Sequence, residues 1–260
     1  TAGMPGAFGT SKRTKMTTIC LWSGPRNVST ALMYSFAQRP DTDVVDEPLY
    51  GHFLRVTGTE HPGRDEVLEA VNCDGNAVMR EILERDAENP GRLIFLKQMA
   101  HHLVDVDRAF MERTQNVFLV RDPREMLQSL TIQLPGATLA DTGLRMQWEL
   151  FESLRAEGQA PAVLDSRELL LDPERVLTEL CNRIGVPFYD AMLRWPPGPR
   201  PEDGVWAPHW YHAVHKSTGF APYVAKKKFP ARLEALLDEC RPWYEKLYRH
   251  AIRHHQEAAH

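Results

Sequence analysis

The stretch Pro25-Arg26-Asn27-Val28-Ser29-Thr30 puts a permanently charged guanidinium and two hydroxyls within five residues. That combination suits the capture of a phosphate or sulfate, because Arg presents a planar fork of donors to an oxyanion. The flanks reinforce the reading. The apolar run 17–22 (TTICLW) predicts a buried parallel strand, and 31–37 (ALMYSFA) predicts a helix. A helix start adds amides without helical partners and the positive end of a dipole. Arg26, Asn27, Val28, Ser29 and Thr30 are therefore candidate anion-binding residues. The loop for a nucleoside triphosphate, Gly-x4-Gly-Lys-Ser/Thr, is not present. No Gly-Lys pair follows Gly24 at the required spacing, and β-branched Val28 disfavours positive φ. A magnesium–ATP phosphotransferase stands only as an alternative.

A second constellation follows the run 116–120 (NVFLV). Arg121 stands at its end, Pro123 suits a first helical turn, and Ser129 falls about two turns along that helix. Arg121 and Ser129 could grip a second phosphate. An ordinary helix start with Asp122 as cap and Arg121 in an ion pair explains the same residues. Proton-transfer candidates lie elsewhere. Strand 42–46 should deliver Asp46 and Glu47 to the sheet edge that carries the Arg26 loop. Lys97 precedes His101 and His102 at the end of another apolar run, and imidazole titrates near neutrality. His209 and His212 sit in an aromatic-rich segment whose Trp206, Trp210, Tyr211 and Phe220 could wall an acceptor pocket or hold an adenine.

The two constellations together resemble the 5′-phosphosulfate loop and 3′-phosphate motif of sulfotransferases that use 3′-phosphoadenosine-5′-phosphosulfate (PAPS). The first family motif, Pro-Lys/Arg-Ser-Gly-Ser/Thr-Thr after a strand, stands here as residues 25–30. The second, an Arg at a strand end with a Ser eight residues later, is matched by Arg121 and Ser129. A third stretch, 162–177, resembles the family's strand-to-helix segment, and its helix runs on to Ile184-Gly185-Val186-Pro187. The resemblance is to the divergent bacterial branch. It implies a P-loop-like sulfotransferase fold, PAPS as donor, PAP as product, no metal, and transfer to a hydroxyl or amine of a small molecule. It assigns Arg26 to the leaving phosphate and favours Glu47 as base, with Lys97 assisting and His101 or His102 as the other bases. A non-catalytic PAP-binding module is a further alternative. Three departures stand out: Val28 replaces a Gly, Ser166 replaces a Tyr near the adenine, and the C-terminal Arg-Lys-Gly is missing. His215 to Gly219 is the candidate substitute for that last motif.

The elements that must position these residues alternate. Strands are expected at 17–22, 42–46, 92–97, 116–120 and 161–165. Helices are expected at 28–38, 74–88, 104–114, 123–133, 138–158, 173–185 and 229–255. The pattern predicts one α/β domain, a parallel sheet flanked by helices, over 16–256, with 1–15 as a disordered tail. Residues 193–224, rich in Pro, Trp, Gly and His, read as a long loop over the carboxyl ends of the strands. Among 260 residues, 25% are charged and the net charge is −4, which argues against a nucleic acid polymer as partner. No apolar run approaches membrane-spanning length. Four cysteines without paired spacing suggest free thiols in a cytoplasmic protein. The terminal His254 and His255 read as a fraying helix end.

Overall fold

The computed structural model describes residues 17–226 and 228–255. The expected tail at 1–15 lies outside them. Five strands form one parallel sheet: β1 (Thr18–Ser23), β2 (Thr42–Asp46), β3 (Leu93–Met99), β4 (Gln115–Val120) and β5 (Ala162–Asp165), in the order β2-β3-β1-β4-β5. Each lies within two residues of its expected span. Alternation within β1 shows why the sheet is covered twice. Ile19 and Leu21 join one apolar cluster, Cys20 and Trp22 the other, and all four are fully buried.

The helices are α1 (Ser29–Ala37), α2 (Tyr50–Thr57), α3 (Arg64–Ala70), α4 (Gly75–Glu88), α5 (Pro123–Gln133), α6 (Leu139–Thr142), α7 (Leu144–Ala156), α8 (Ser166–Leu171), α9 (Pro173–Ile184), α10 (Ala207–Trp210) and α11 (Glu234–Tyr248). Helices α1, α8 and α9 pack on one face, and α4, α5, α7 and α11 on the other. A third, smaller cluster joins α2 and α3 to Trp206 and Tyr211 of the long loop.

Several expected helices differ. Residues 104–114 hold a 3-10 turn, Arg108–Arg113, instead of an α-helix; Asp105 there has φ 49° and Asp107 caps the turn. Segment 138–158 is broken by Gly143, whose φ of 71° ends α6 and begins α7. The C-terminal helix stops at Tyr248, not 255. Beyond it Ile252 N–H donates to the Val163 carbonyl (2.9 Å) and His254 Nδ1 lies 2.5 Å from Glu168 Oε2, so this end is docked on the fold. Cys20, Cys181 and Cys240 are buried and Cys73 half-buried, all as free thiols. Among the described residues, no helix is long and apolar enough to cross a membrane.

The sheet places the candidates at the strand ends along one edge. All five strands run parallel, so the Arg26 loop after β1, Glu47 after β2, the Lys97 end of β3 and Arg121 after β4 share it. Central β1 separates the β2–β3 side from the β4–β5 side.

Candidate active site

The cationic half is built on β1 and β4. Arg26 takes a left-handed backbone (φ 58°), so the chain can turn without glycine at Val28, which has an ordinary φ of −87°. The Val-for-Gly departure is thereby absorbed two residues earlier. Asn27 Nδ2 donates to the Leu119 carbonyl (2.9 Å) and to Ser23 Oγ (3.2 Å), which ties the loop down to both strands. Gln147 Nε2 reinforces that floor, donating to the Trp22 (2.9 Å) and Leu119 (3.0 Å) carbonyls. Gly24 leaves room for a neighbour: a Cβ there would fall 2.5 Å from the Thr142 carbonyl oxygen.

Helix α1 then begins with no side-chain cap and no acidic residue in its first turn. Its first helical bond is Leu32 N–H to the Val28 carbonyl (2.9 Å), which leaves the amides of Ser29, Thr30 and Ala31 without helical partners. The hydroxyls of Ser29 and Thr30 have no hydrogen-bond partner among the described residues. Arg26 Nε donates to Ser129 Oγ (2.9 Å), and Arg121 Nη1 donates to the Arg26 carbonyl (2.7 Å). The two constellations expected from sequence thus meet in one corner. Burial and the adjacent Arg121 charge lower the Arg26 pKa from its ordinary value.

Sequence reasoning missed two members of this corner. Lys226 Nζ donates to the Glu125 carbonyl (3.0 Å), and its pKa is lowered by burial and by Arg121 and Arg26. The run Lys226-Lys227-Lys228 was its available signal. Buried Glu125 supplies counter-charge: Arg121 Nε lies 3.4 Å from Oε2, and the Tyr223 hydroxyl donates to Oε1 (2.5 Å). The proposed substitute segment, His215 to Gly219, is engaged elsewhere. His215 Nε2 pairs with Asp203 Oδ2 (2.8 Å), and Ser217 Oγ accepts from Trp195 Nε1 (3.0 Å). Asp122 does cap α5, accepting from the Arg124 amide (2.8 Å), and Ser166 Oγ is spent on the Val120 carbonyl (3.0 Å).

The acidic half is built on β2 and β3. The register sets Asp46 beside Lys97, and the Glu47 amide donates to the Lys97 carbonyl (2.8 Å). Glu47 also has positive φ (39°), a strained conformation that turns its side chain back onto β3. Lys97 is fully buried. Its Nζ donates to Asp46 Oδ1 (2.9 Å), Glu47 Oε1 (2.5 Å) and the Tyr211 hydroxyl (2.7 Å). Burial alone would lower the Lys97 pKa, but Asp46 and Glu47 outweigh it and hold it well above the usual range. One ammonium cannot neutralise two carboxylates. Burial pushes the Glu47 pKa up, Lys97 opposes that, and Asp46 adds to the rise.

The two carboxylates differ in use. Asp46 accepts from Lys97, from Tyr211 and, at Oδ2, from the Gly204 amide (3.1 Å). Glu47 Oε2 has no hydrogen bond among the described residues, and its polar neighbour there is His102 Nδ1 at 3.8 Å. His102 is buried between Tyr50 and Phe53, with ring centroids at 4.9 and 4.6 Å. Its Nδ1 and that of His101 are buried without hydrogen-bond partners. Burial pushes His101 down to about 4 and His102 well below its usual value, so both rings are neutral at pH 7. His209 lies 3.9 Å from Glu66 and His212 is exposed. Trp206 and Tyr211 are buried against Tyr50 and Phe53, while Phe220 packs on Trp195.

This is an edge with a cationic, donor-rich corner on one side of β1 and an internally paired carboxylate on the other. Residues 16–251 match the family described as the sulfotransferase domain. The chain belongs to that family. It is similar to the branched-chain-amino-acid aminotransferase-like proteins 1 and 2 of Arabidopsis thaliana. These are 41% identical over 235 residues and 39% over 237, each match covering 90% of this chain. The chain spans 42% of the length of either relative. Two solved structures share the fold. The sulfotransferase domain of the Synechococcus PCC 7002 olefin synthase has TM-score 0.52 at 17% identity, covering 90% of this chain and 98% of that one. A sulfotransferase from Alicyclobacillus acidocaldarius has TM-score 0.51 at 14% identity, covering 89% and 94%.

Proposed function

We propose that this sulfotransferase-family chain moves a sulfuryl group from PAPS to a hydroxyl, or less favourably an amine, of a small-molecule acceptor. The observation that carries the reading is the meeting of Arg26, Arg121 and Ser129 in one corner beside the uncapped start of α1. Like charges held together at an unneutralised helix start are relieved by a multiply charged anion. In this reading Arg26, the loop from Asn27 to Thr30 and the α1 amides hold the 5′ phosphosulfate. Arg121, Ser129 and Lys226 hold the 3′ phosphate. PAPS would supply the sulfuryl group and a phosphate leaving group.

The chain's own residues supply the rest. Glu47 Oε2, the carboxylate oxygen without a hydrogen bond, takes the acceptor's proton. Lys97 fixes the other oxygen and so aims that one. Arg26 stabilises charge on the departing phosphate electrostatically, since a guanidinium does not surrender its proton. Neutral His101 and His102 line the same side, and the elevated Glu47 makes it the better base of the three. The reading invokes no metal, because guanidinium groups and amides do the neutralising.

Thermal-shift measurements with PAP, ATP and ATP-Mg test the donor, since a ligand raises the melting temperature only by binding the native state. PAP is expected to raise it. A shift with ATP-Mg and none with PAP would indicate a phosphotransferase and discard the reading. An acceptor screen by mass spectrometry, seeking the gain of one SO3 unit, tests turnover; PAP binding without any such gain would leave a nucleotide-binding module.

A further inference from the structure

Tyr211 comes from the long loop, yet its hydroxyl sits among groups from two strands. It accepts from Lys97 Nζ at 2.7 Å and lies 2.9 and 2.8 Å from the two Asp46 oxygens, to which it donates. Trp206 Nε1 donates to it from 3.3 Å, and Lys97 Nζ stands 5.0 Å from the Tyr211 ring centroid. The same loop sends the Gly204 amide to Asp46 Oδ2. That turn is anchored through Asp203, which receives the Tyr34 hydroxyl (2.6 Å), the Arg200 amide (2.9 Å) and His215 (2.8 Å). Asp46 is thereby held at both oxygens by the loop. Glu47 is held at Oε1 by Lys97, with the Tyr211 hydroxyl also lowering its pKa, and among the described residues has only His102 near Oε2.

We propose that Tyr211 is the positioning residue of the proton-accepting centre: its hydroxyl locks Lys97 between Asp46 and Glu47, so that Glu47 is ready only when the 194–224 loop is seated on the sheet edge. The inference rests on Glu47 as the base. Physically, a buried ammonium with three acceptors has one defined position, and without the Tyr211 hydroxyl, which also donates to Asp46, the donor-poor Asp46 draws the ammonium away from Glu47. A Glu47 carboxylate deprived of part of its ammonium contact holds a proton more tightly. Tyr211 itself keeps its proton, because burial holds its pKa far above the usual phenol value. No bond is made or broken by Tyr211; it sets where the proton acceptor stands and how strongly it attracts.

The test is Tyr211→Phe, which removes one oxygen and keeps the ring. The turnover number at neutral pH is expected to fall about 10- to 100-fold, the range for a lost hydrogen bond to a charged group, with the donor KM unchanged. The titration midpoint of Glu47, followed by carboxyl carbon-13 NMR and assigned by its loss in Glu47→Gln, is expected to rise by about one pH unit, a tenfold change in proton affinity. The acidic limb of the rate profile moves with it, so raising the pH restores part of the rate. A Glu47 midpoint that stays at the wild-type value overturns the proposal, whatever happens to the rate. If the Phe variant does not fold, Asp203→Asn, which loosens the loop anchor and keeps the Tyr211 hydroxyl, is held to the same two outcomes. A displaced midpoint in a protein that fails to bind PAP would remove the donor assignment and leave the Tyr211 role standing.

Discussion

The two halves of the site solve opposite electrostatic problems. On the β1–β4 side, Arg26, Arg121 and Lys226 share one corner in which the Glu125 carboxylate forms an ion pair, among the described residues, with Arg121 alone, and α1 starts uncapped. On the β2–β3 side, Lys97, Asp46 and Glu47 are buried together, one ammonium between two carboxylates. The first half leaves donors open, and in the proposed function an incoming anion completes it. The second has little to gain from a charged ligand, because burial makes each partner indispensable to the other. In the proposed function, excess positive charge holds the donor, and the strained pairing of one ammonium with two carboxylates handles the proton. Helices elsewhere sharpen the contrast: α4, α5, α8 and α9 each begin under an aspartate cap, and α1 does not.

The largest expected effect separates the halves. Glu47→Gln should lower turnover by about two to four decades, the span of lost general-base assistance, while PAP affinity measured by calorimetry stays at the wild-type value. An unchanged rate would move the base to His101 or His102. Next, Arg121→Met should weaken PAP about 10- to 100-fold, as expected for a lost charged hydrogen-bond donor, with the Glu47 titration untouched. Equal losses of PAP affinity from both variants would erase the division.

A pH experiment probes the aromatic border of the acidic half. His101 is held at about 4, below its ordinary 6.5. A depressed imidazole is protonated more readily in the unfolded chain. Its stabilising contribution is therefore complete above pH 6.5 and is lost as pH falls from there through about 4. Melting temperature against pH should decline over that window, and less steeply in His101→Gln. The smallest effect is a control: Asp172→Ala, which removes the α9 cap on the Arg175 amide (3.1 Å), should cost about 1 kcal/mol of stability and leave PAP affinity alone.

The same division explains what the sequence disclosed. The five strands were readable from apolar runs with two-sided burial, and the Arg26 and Arg121 segments from local spacing. A contiguous strand–turn–helix writes its chemistry into adjacent residues. The acidic half does not: Tyr211 reaches Lys97 across 114 positions, and Asp46 and Gly204 meet across 158. Only tertiary packing brings them together, so Tyr211 read as a wall of a pocket. Lys226 carried a local signal in its lysine run, but its place beside Arg26 and Arg121 is set only by packing. Helix boundaries failed where backbone geometry overrode periodicity, as at Gly143, whose φ of 71° divides one amphipathic run into two. Short α2 and α3 escaped because Pro48, Gly58, Pro62 and Gly63 made the whole stretch resemble loop.

Gly24 shows how the architecture constrains change at a distance. Only the absence of a side chain lets it lie under the Thr142 carbonyl, so the α6–α7 corner acts as a ceiling over the start of the loop. Any substitution that lowers or tilts that corner presses on the segment whose amides face the sheet edge. If Arg26 holds the donor as proposed, drift in residues far from it retunes that grip without touching a single charge, and the corner becomes a place to adjust donor affinity by thickness alone.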